Sequence, residues 1–216
     1  MTDKIAGAYS AHFQTILTQT ESALTATGHQ ACVIAAGSAH GMFLDDMDYP
    51  FKTNPHFQRW IPVSDAAHSA LVIEIGKTPR LLHYRPDDYW HKAPEAPTGF
   101  WVDHFDIVSI SDLDNMRDAL PAGAAGAALI AEKDDQFKDW GLGVQNPEGL
   151  LNQLHFHRAW KTDYEIACME VATVKGVKAH RAALNAYKQG ASEYEIHQAY
   201  LLAAGHVEPE LPYGNI

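Results

Sequence analysis

Apolar positions along the chain change their period several times, and each change predicts an element. In residues 5–26, Phe13, Ile16, Leu17 and Leu24 fall close to one face at helical spacing. Gly28 follows as a stop, so a first helix is expected there. Ala31-Cys32-Val33-Ile34-Ala35 is a short apolar run ending near Gly37, the pattern of a buried strand. Ser69-Ala70-Leu71-Val72-Ile73-Glu74-Ile75 predicts a second strand. Gly76-Lys77-Thr78-Pro79 supplies turn chemistry and Arg80-Leu81-Leu82-His83-Tyr84 returns, which predicts a hairpin. Phe105–Ile110 and Ala127–Ile130 read as further strands, with short helical stretches near 112–119, 134–140 and 148–154. Strands and helices mixed in this order predict an α/β layer structure with a partly parallel, hence mixed, sheet.

Two segments, 38–68 and 86–103, have no clear period and are rich in Pro and aromatics, including Trp60, Trp90 and Trp101. Long ordered loops of this kind are often functional. Near Arg158 the pattern changes to wholly helical. Thr162-Asp163-Tyr164-Glu165 is a capping-box sequence, and Ile166, Met169, Thr173, Val177, His180, Leu184 and Tyr187 then recur at steps of three or four. Gly176 inside that run suggests a kink or a close helix contact. Ser192-Glu193-Tyr194-Glu195 opens a further helix by the same device, running to Gly205. The expected division is therefore 1–157 for an N-terminal α/β domain and 158–216 for the start of another.

Charge and cysteine content narrow the function classes. Sixteen Lys and Arg against 27 Asp and Glu give a formal charge of −11, which argues against a nucleic-acid surface built on clustered cations. Cys32 and Cys168 each sit among apolar neighbours and read as small buried hydrophobes rather than a thiol site. Two cysteines without a paired framework suit a reducing cytoplasm. No apolar run reaches 18 residues, so no membrane span is expected, and Met1-Thr2-Asp3-Lys4-Ile5 lacks the apolar core of a secretion signal.

Candidate chemistry is sparse. Thirteen histidines invite a metal reading, and His155-Phe156-His157 would place two imidazoles on one face of a strand, as ligands or as strand-edge polar residues. His83, His91 and His104 stand beside aromatics and read as surface or packing groups. There is no Gly-x-Ser-x-Gly elbow, and Gly123-Ala124-Ala125-Gly126 leads into a strand, the wrong order for a phosphate loop. Asp134-Asp135 opens an expected helix, where carboxylates complement the dipole. Asp45, Asp46 and Asp48 cluster beside Tyr49 and Phe51. On chemistry alone they are either a solvated loop or a site for an amine.

That last segment carries a resemblance. Phe43-Leu44-Asp45-Asp46-Met47-Asp48-Tyr49-Pro50-Phe51-Lys52-Thr53-Asn54-Pro55-His56-Phe57-Gln58-Arg59-Trp60-Ile61-Pro62-Val63 resembles the signature of bacterial Xaa-Pro dipeptidases, the prolidase and organophosphorus acid anhydrolase branch of the pita-bread metallopeptidases. Asp88-Tyr89-Trp90-His91-Lys92, Phe100-Trp101, Tyr164–Met169, Ser192–Ile196 with Gln198–Leu201, and Pro212-Tyr213-Gly214-Asn215 are similar to the same branch, in the same order. The resemblance implies a creatinase/prolidase-type N-terminal domain and then the first helices of a pita-bread catalytic domain, beginning at Thr162. It implies cleavage of dipeptides with C-terminal proline by two divalent ions, usually Mn²⁺, in a cytoplasmic homodimer. In such a centre the metals would supply a bridging hydroxide and polarise the scissile carbonyl.

The family's metal ligands, two Asp, one His and two Glu, follow the Pro-Tyr-Gly-Asn stretch. None is therefore expected within residues 1–216, and the chain alone is expected to be inactive. Two positions carry over as substrate contacts. Asp46 matches the acidic residue that reaches into the neighbouring subunit's site, where it would meet a dipeptide's amine. Tyr213 matches a tyrosine lining the pocket. Glu170 stands where a basic residue is usual, and Leu211 where a smaller one is. Two other readings stay open: a truncated module that dimerises or binds a full-length relative, and a separate metallohydrolase using His155 and His157.

Overall fold

A computed structural model describes residues 2–87, 89, 94–120, 126–133, 137 and 140–214. The described chain forms two compact units, Ala8–Lys161 and Met1–Gly7 with Thr162–Ile216, and each is described by itself.

The first unit is built on five strands: β1 (Ala31–Ala35), β2 (Ala70–Glu74), β3 (Arg80–Tyr84), β4 (Asp106–Ile110) and β5 (Ala128–Ile130). Their order is β4-β3-β2-β1-β5. The inner pairs β1–β2 and β2–β3 are antiparallel, and the flanking pairs β3–β4 and β1–β5 are parallel. The sheet is thus mixed, as the strand–helix alternation predicts, and β2–β3 is the expected hairpin, with Gly76 taking up a left-handed φ of 75° in its turn.

Both sheet faces are buried, which is why β1 and β2 read as continuous apolar runs. One face contributes Val33, Ala35, Val72, Leu82 and Leu129 to a core closed by Met116 and Phe137. Residues alternating with these, Cys32, Ile34, Leu71, Ile73, Leu81 and Ile130, are equally inaccessible. Helix α1 (Thr2–Ala26) buries Phe13, Ile16 and Leu24 of the stripe its spacing predicts, leaves Leu17 half-buried and adds Tyr9.

Between β1 and β2 the chain leaves the sheet for residues 36–69, and its ends are tied together. Ala36 N–H donates to Ser69 O at 2.9 Å, His68 N–H to Gly37 O at 2.7 Å, and Asn54 N–H to Ala36 O at 2.7 Å. Within it lies a short helix, α2 (Pro55–Gln58), whose N-cap Asn54 accepts from His56 N–H at 2.9 Å. Phe57, Trp60 and Ile61 are buried, Trp60 O accepts from the Tyr9 hydroxyl, and Arg59 O accepts from His12 Nε2 at 2.9 Å. The lack of period in this segment reflects anchoring by single side chains instead of by a face.

After β4, α3 (Leu113–Asp118) is capped by Asp112. The helix expected near 134–140 lies mostly outside the described residues. Residues 144–146 then run beside β5: Leu129 N–H donates to Val144 O at 3.1 Å and Asn146 N–H to Leu129 O at 2.7 Å. The Asn146 side chain accepts from Ala131 N–H at 3.1 Å and donates to Ala131 O at 2.7 Å, extending the strand by one mock residue. Asn146 does this from φ 51°, a conformation asparagine tolerates better than most side chains. Pro147 follows as the N-cap of α4 (Glu148–Arg158), which buries Leu150 and Leu154.

The second unit holds α5 (Asp163–Lys188) and α6 (Glu193–Ala204), a helical hairpin turning at Gly190. Both expected capping boxes form, Thr162 with Glu165 and Ser192 with Glu195, and α6 ends on Gly205 at φ 70°. At Gly176 the helix is continuous and no heavy atom lies within 4 Å of where a Cβ would stand, so no close contact explains that glycine. Ile166, Met169, Val177, Leu184 and Tyr187 of α5 are exposed. Tyr200 and Leu201 of α6 are half-buried, the Tyr200 ring packing edge-on against His180 at 5.1 Å, while Leu202 is exposed.

Asn146→Ala removes both clamp bonds and strands the Ala131 amide and carbonyl. It should destabilise the chain by about 1–3 kcal/mol, read as a lowered urea midpoint with an unchanged m value.

Candidate functional site

Asp46 stands at the tip of a small hairpin at the start of the 36–69 segment. Its stem is an antiparallel bridge between Gly41 and Asp48, with Met42 N–H donating to Met47 O at 2.7 Å and Tyr49 N–H to His40 O at 2.9 Å. Asp45 is committed to the turn, its carboxylate accepting from Met47 N–H at 3.0 Å. Asp46 itself is exposed. Around it the tip is apolar: Phe43 is 87% and Leu44 91% exposed, and Met47 and Tyr49 are open to solvent. Leu44 also has a φ of 56°. A leucine held left-handed costs about 1–3 kcal/mol, and at this exposure its contacts do not offset that. The acidic cluster is therefore a solvated loop in this chain, with its carboxylate framed by apolar groups.

Tyr213, 74% exposed, lies in the second unit and lines an open groove of about 940 Å³ together with His180, Tyr194, His197, Tyr200 and Glu208. His197 Nε2 is 3.8 Å from Glu208. Leu211, the bulkier residue before Pro212, is buried, so its added volume goes into packing rather than into the groove. Glu170 is exposed. Asn215 lies outside the described residues.

The histidines fall differently from their sequence pattern. His155-Phe156-His157 is not a strand: it forms the last turn of α4, because Leu150 and Leu154, spaced i and i+4, set a helical face that continues to Arg158. On a helix, residues two apart point in widely different directions, so His155 and His157 do not share a face and do not form the ligand pair of a metallohydrolase. His155 instead meets His56 of α2, with their Nε2 atoms 3.2 Å apart and ring centroids at 5.2 Å. Nothing local in the sequence signals this contact, since 99 positions separate the two. His104 packs between Tyr9 and Phe13, at 5.3 and 4.7 Å, the aromatic role expected of it. His83 is partly buried, and burial holds its pKa below the ordinary value. His91 lies outside the described residues.

Cys32 is fully buried, which pushes its thiol up to about 12 and leaves it inert at neutral pH. Cys168 is half-buried and is also raised, chiefly by burial. Among the described residues no group of three or more His, Cys, Asp or Glu is arranged to hold a metal ion. The donor set among the described residues does not fit a two-metal centre. No helix among the described residues is long and apolar enough to cross a membrane.

A solved structure assigned to an aminopeptidase P of Bacillus anthracis superposes with a TM-score of 0.54 at 12% identity, over 88% of this chain and 50% of that one, so the two share a fold. Residues 7–156 match the family described as the N-terminal domain of Xaa-Pro dipeptidase. Along 214 residues, 99% of the chain, it is 42% identical to the Xaa-Pro dipeptidases of Pseudoalteromonas haloplanktis and Shewanella oneidensis, and spans 49% of each. The chain belongs to the Xaa-Pro dipeptidase family and corresponds to the N-terminal half of those relatives.

The His56 environment has a consequence for stability. Burial first, then the charges of Arg158, His155 and Arg59, lower its pKa from 6.5 to about 4. The unfolded chain therefore takes up this proton near pH 6.5 while the folded chain resists until about pH 4. Stability should be level above pH 6.5 and fall as pH drops through that window. His56→Gln should flatten the urea midpoint between those limits; His83, lowered in the same direction, leaves a residual slope.

Proposed function

We propose that this chain is the N-terminal half of a metal-dependent Xaa-Pro dipeptidase that hydrolyses dipeptides ending in proline. The reading is carried by the 42% identity to such enzymes along essentially the whole chain. Residues 1–216 provide the α/β domain, the first catalytic-domain helices and two substrate contacts. The Mn²⁺ ligands come from the half of the relatives' length that this chain does not span. The exposed α5 stripe is the surface against which that half packs, since apolar groups at Ile166, Met169, Val177 and Leu184 favour cover over water.

In the homodimer, the Asp46 hairpin enters the neighbouring subunit's site. Its apolar tip is buried there, and the Asp46 carboxylate pairs with the substrate's free amine and closes off room for longer peptides. Two features support this: the tip exposes Phe43 and Leu44, and Asp45 is tied into the turn while Asp46 is left at the surface. The Tyr213 side of the groove forms part of the pocket wall. A second reading, a non-catalytic module that pairs with a full-length relative, draws on the same exposed α5 face.

A polypeptide joining residues 1–216 to the remaining half of a relative should hydrolyse an Xaa-Pro dipeptide when supplied with Mn²⁺. An inactive, folded product that instead forms heterodimers with a full-length enzyme would favour the second reading. In the active polypeptide, Asp46→Asn should raise KM by about tenfold or more, because a hydrogen bond to a charged group contributes about 1.5–3 kcal/mol, with a smaller effect on kcat and faster cleavage of tripeptides. An unchanged KM would remove Asp46 from the site.

A further inference from the structure

We propose that His56 and His155 form a two-imidazole clamp for a divalent transition-metal ion such as Zn²⁺. Two nitrogen ligands about 2.0–2.1 Å from a tetrahedral zinc stand about 3.3–3.4 Å from each other. The two Nε2 atoms are already 3.2 Å apart. Without metal, one ring donates its Nε2 proton to the other. The donor ring changes tautomer, losing its Nε2 proton to solvent as its Nδ1 takes one up, with no net release; with both rings in the Nδ1–H form and turned slightly about their Cβ–Cγ bonds, the two lone pairs converge on one point.

The clamp is held by backbone and packing instead of by long flexible side chains. His56 is fixed through its N–H to the Asn54 side chain at 2.9 Å. His155 rides on α4, which Leu150 and Leu154 anchor from below and whose start is set by the Asn146–Ala131 bonds. Beside the pair lies a cavity of about 250 Å³ walled by Asn54, Ile130, Glu132, Asn146 and Leu151, with space for the water molecules that would complete the coordination.

The same chemistry decides which ions fit. Imidazole favours Cu²⁺, Ni²⁺ and Zn²⁺ over Mg²⁺, Ca²⁺ and Mn²⁺, which prefer oxygen. Arg59 and Arg158 place positive charge nearby; they oppose any cation and keep the affinity modest. With two protein ligands the site bridges the 36–69 segment to α4.

Titration of the purified chain with Zn²⁺ by calorimetry should give one saturable equivalent, which Mg²⁺ does not displace. Loss even of a side chain that only orients a ligand weakens metal binding about 10–100-fold. His56→Ala or His155→Ala should therefore weaken Zn²⁺ by at least about tenfold, and His157→Ala should leave it unchanged. In the unaltered chain, substoichiometric Cu²⁺ should broaden the ring-proton signals of His56 and His155 before those of other histidines, a readout independent of whether a variant folds. Absence of saturable Zn²⁺ binding, binding that survives both substitutions, or first broadening elsewhere would overturn the proposal.

Discussion

The pairing of Ala35 with Ala70 at the end of the β1–β2 ladder brings the two ends of residues 36–69 together, and most of what this chain presents depends on that closure. The ladder is buried on both faces, so a slip of one residue would turn every side chain in it to the wrong layer. Its register is therefore strongly fixed. From that point the segment leaves with its termini hydrogen-bonded, its middle pinned by Phe57, Trp60 and Ile61, and its two informative features held apart: the Asp46 hairpin and His56 on α2. A loop that is rigid at the base and apolar at the tip suits insertion into another surface, because the ordering entropy is spent within the fold rather than on binding.

Much of this is legible in the sequence. The sheet strands are short apolar runs between turn residues, and Gly76-Lys77-Thr78-Pro79 marks the hairpin because the turn needs a left-handed residue that glycine provides. Both helices of the second unit announce themselves through reciprocal capping pairs, which act over three residues and so are visible locally. The misreading at His155-Phe156-His157 has an equally local cause: polar–apolar–polar alternation imitates a strand when only three residues are considered. Leu150 and Leu154, one helical turn apart, outweigh it. The interlocked rings of His56 and His155 were beyond reach, since only the folded sheet and the Asn146 clamp bring α2 and α4 together.

The candidate site shows the same division. Three carboxylates beside aromatics favour a solvated loop over an amine site on chemistry alone, and their exposure in the chain agrees with the loop. Resemblance along the whole sequence, not spacing, is what implies a substrate role for Asp46 and Tyr213. Their exposure agrees with surfaces that are completed by further polypeptide or by another subunit. Apolar residues of α5 point the same way: a helix whose buried residues are Tyr164, Ala167 and Ala179, with Ile166, Met169 and Leu184 in solvent, has its stripe facing nothing that it can pack against within its own unit.

The proposed function makes these residues a scaffold for a hydrolytic centre whose metals are held elsewhere. A steady-state assay of residues 1–216 alone, with a proline dipeptide and excess Mn²⁺, tests it most directly. The account predicts release of proline no faster than in buffer; metal-dependent turnover by this chain would contradict it.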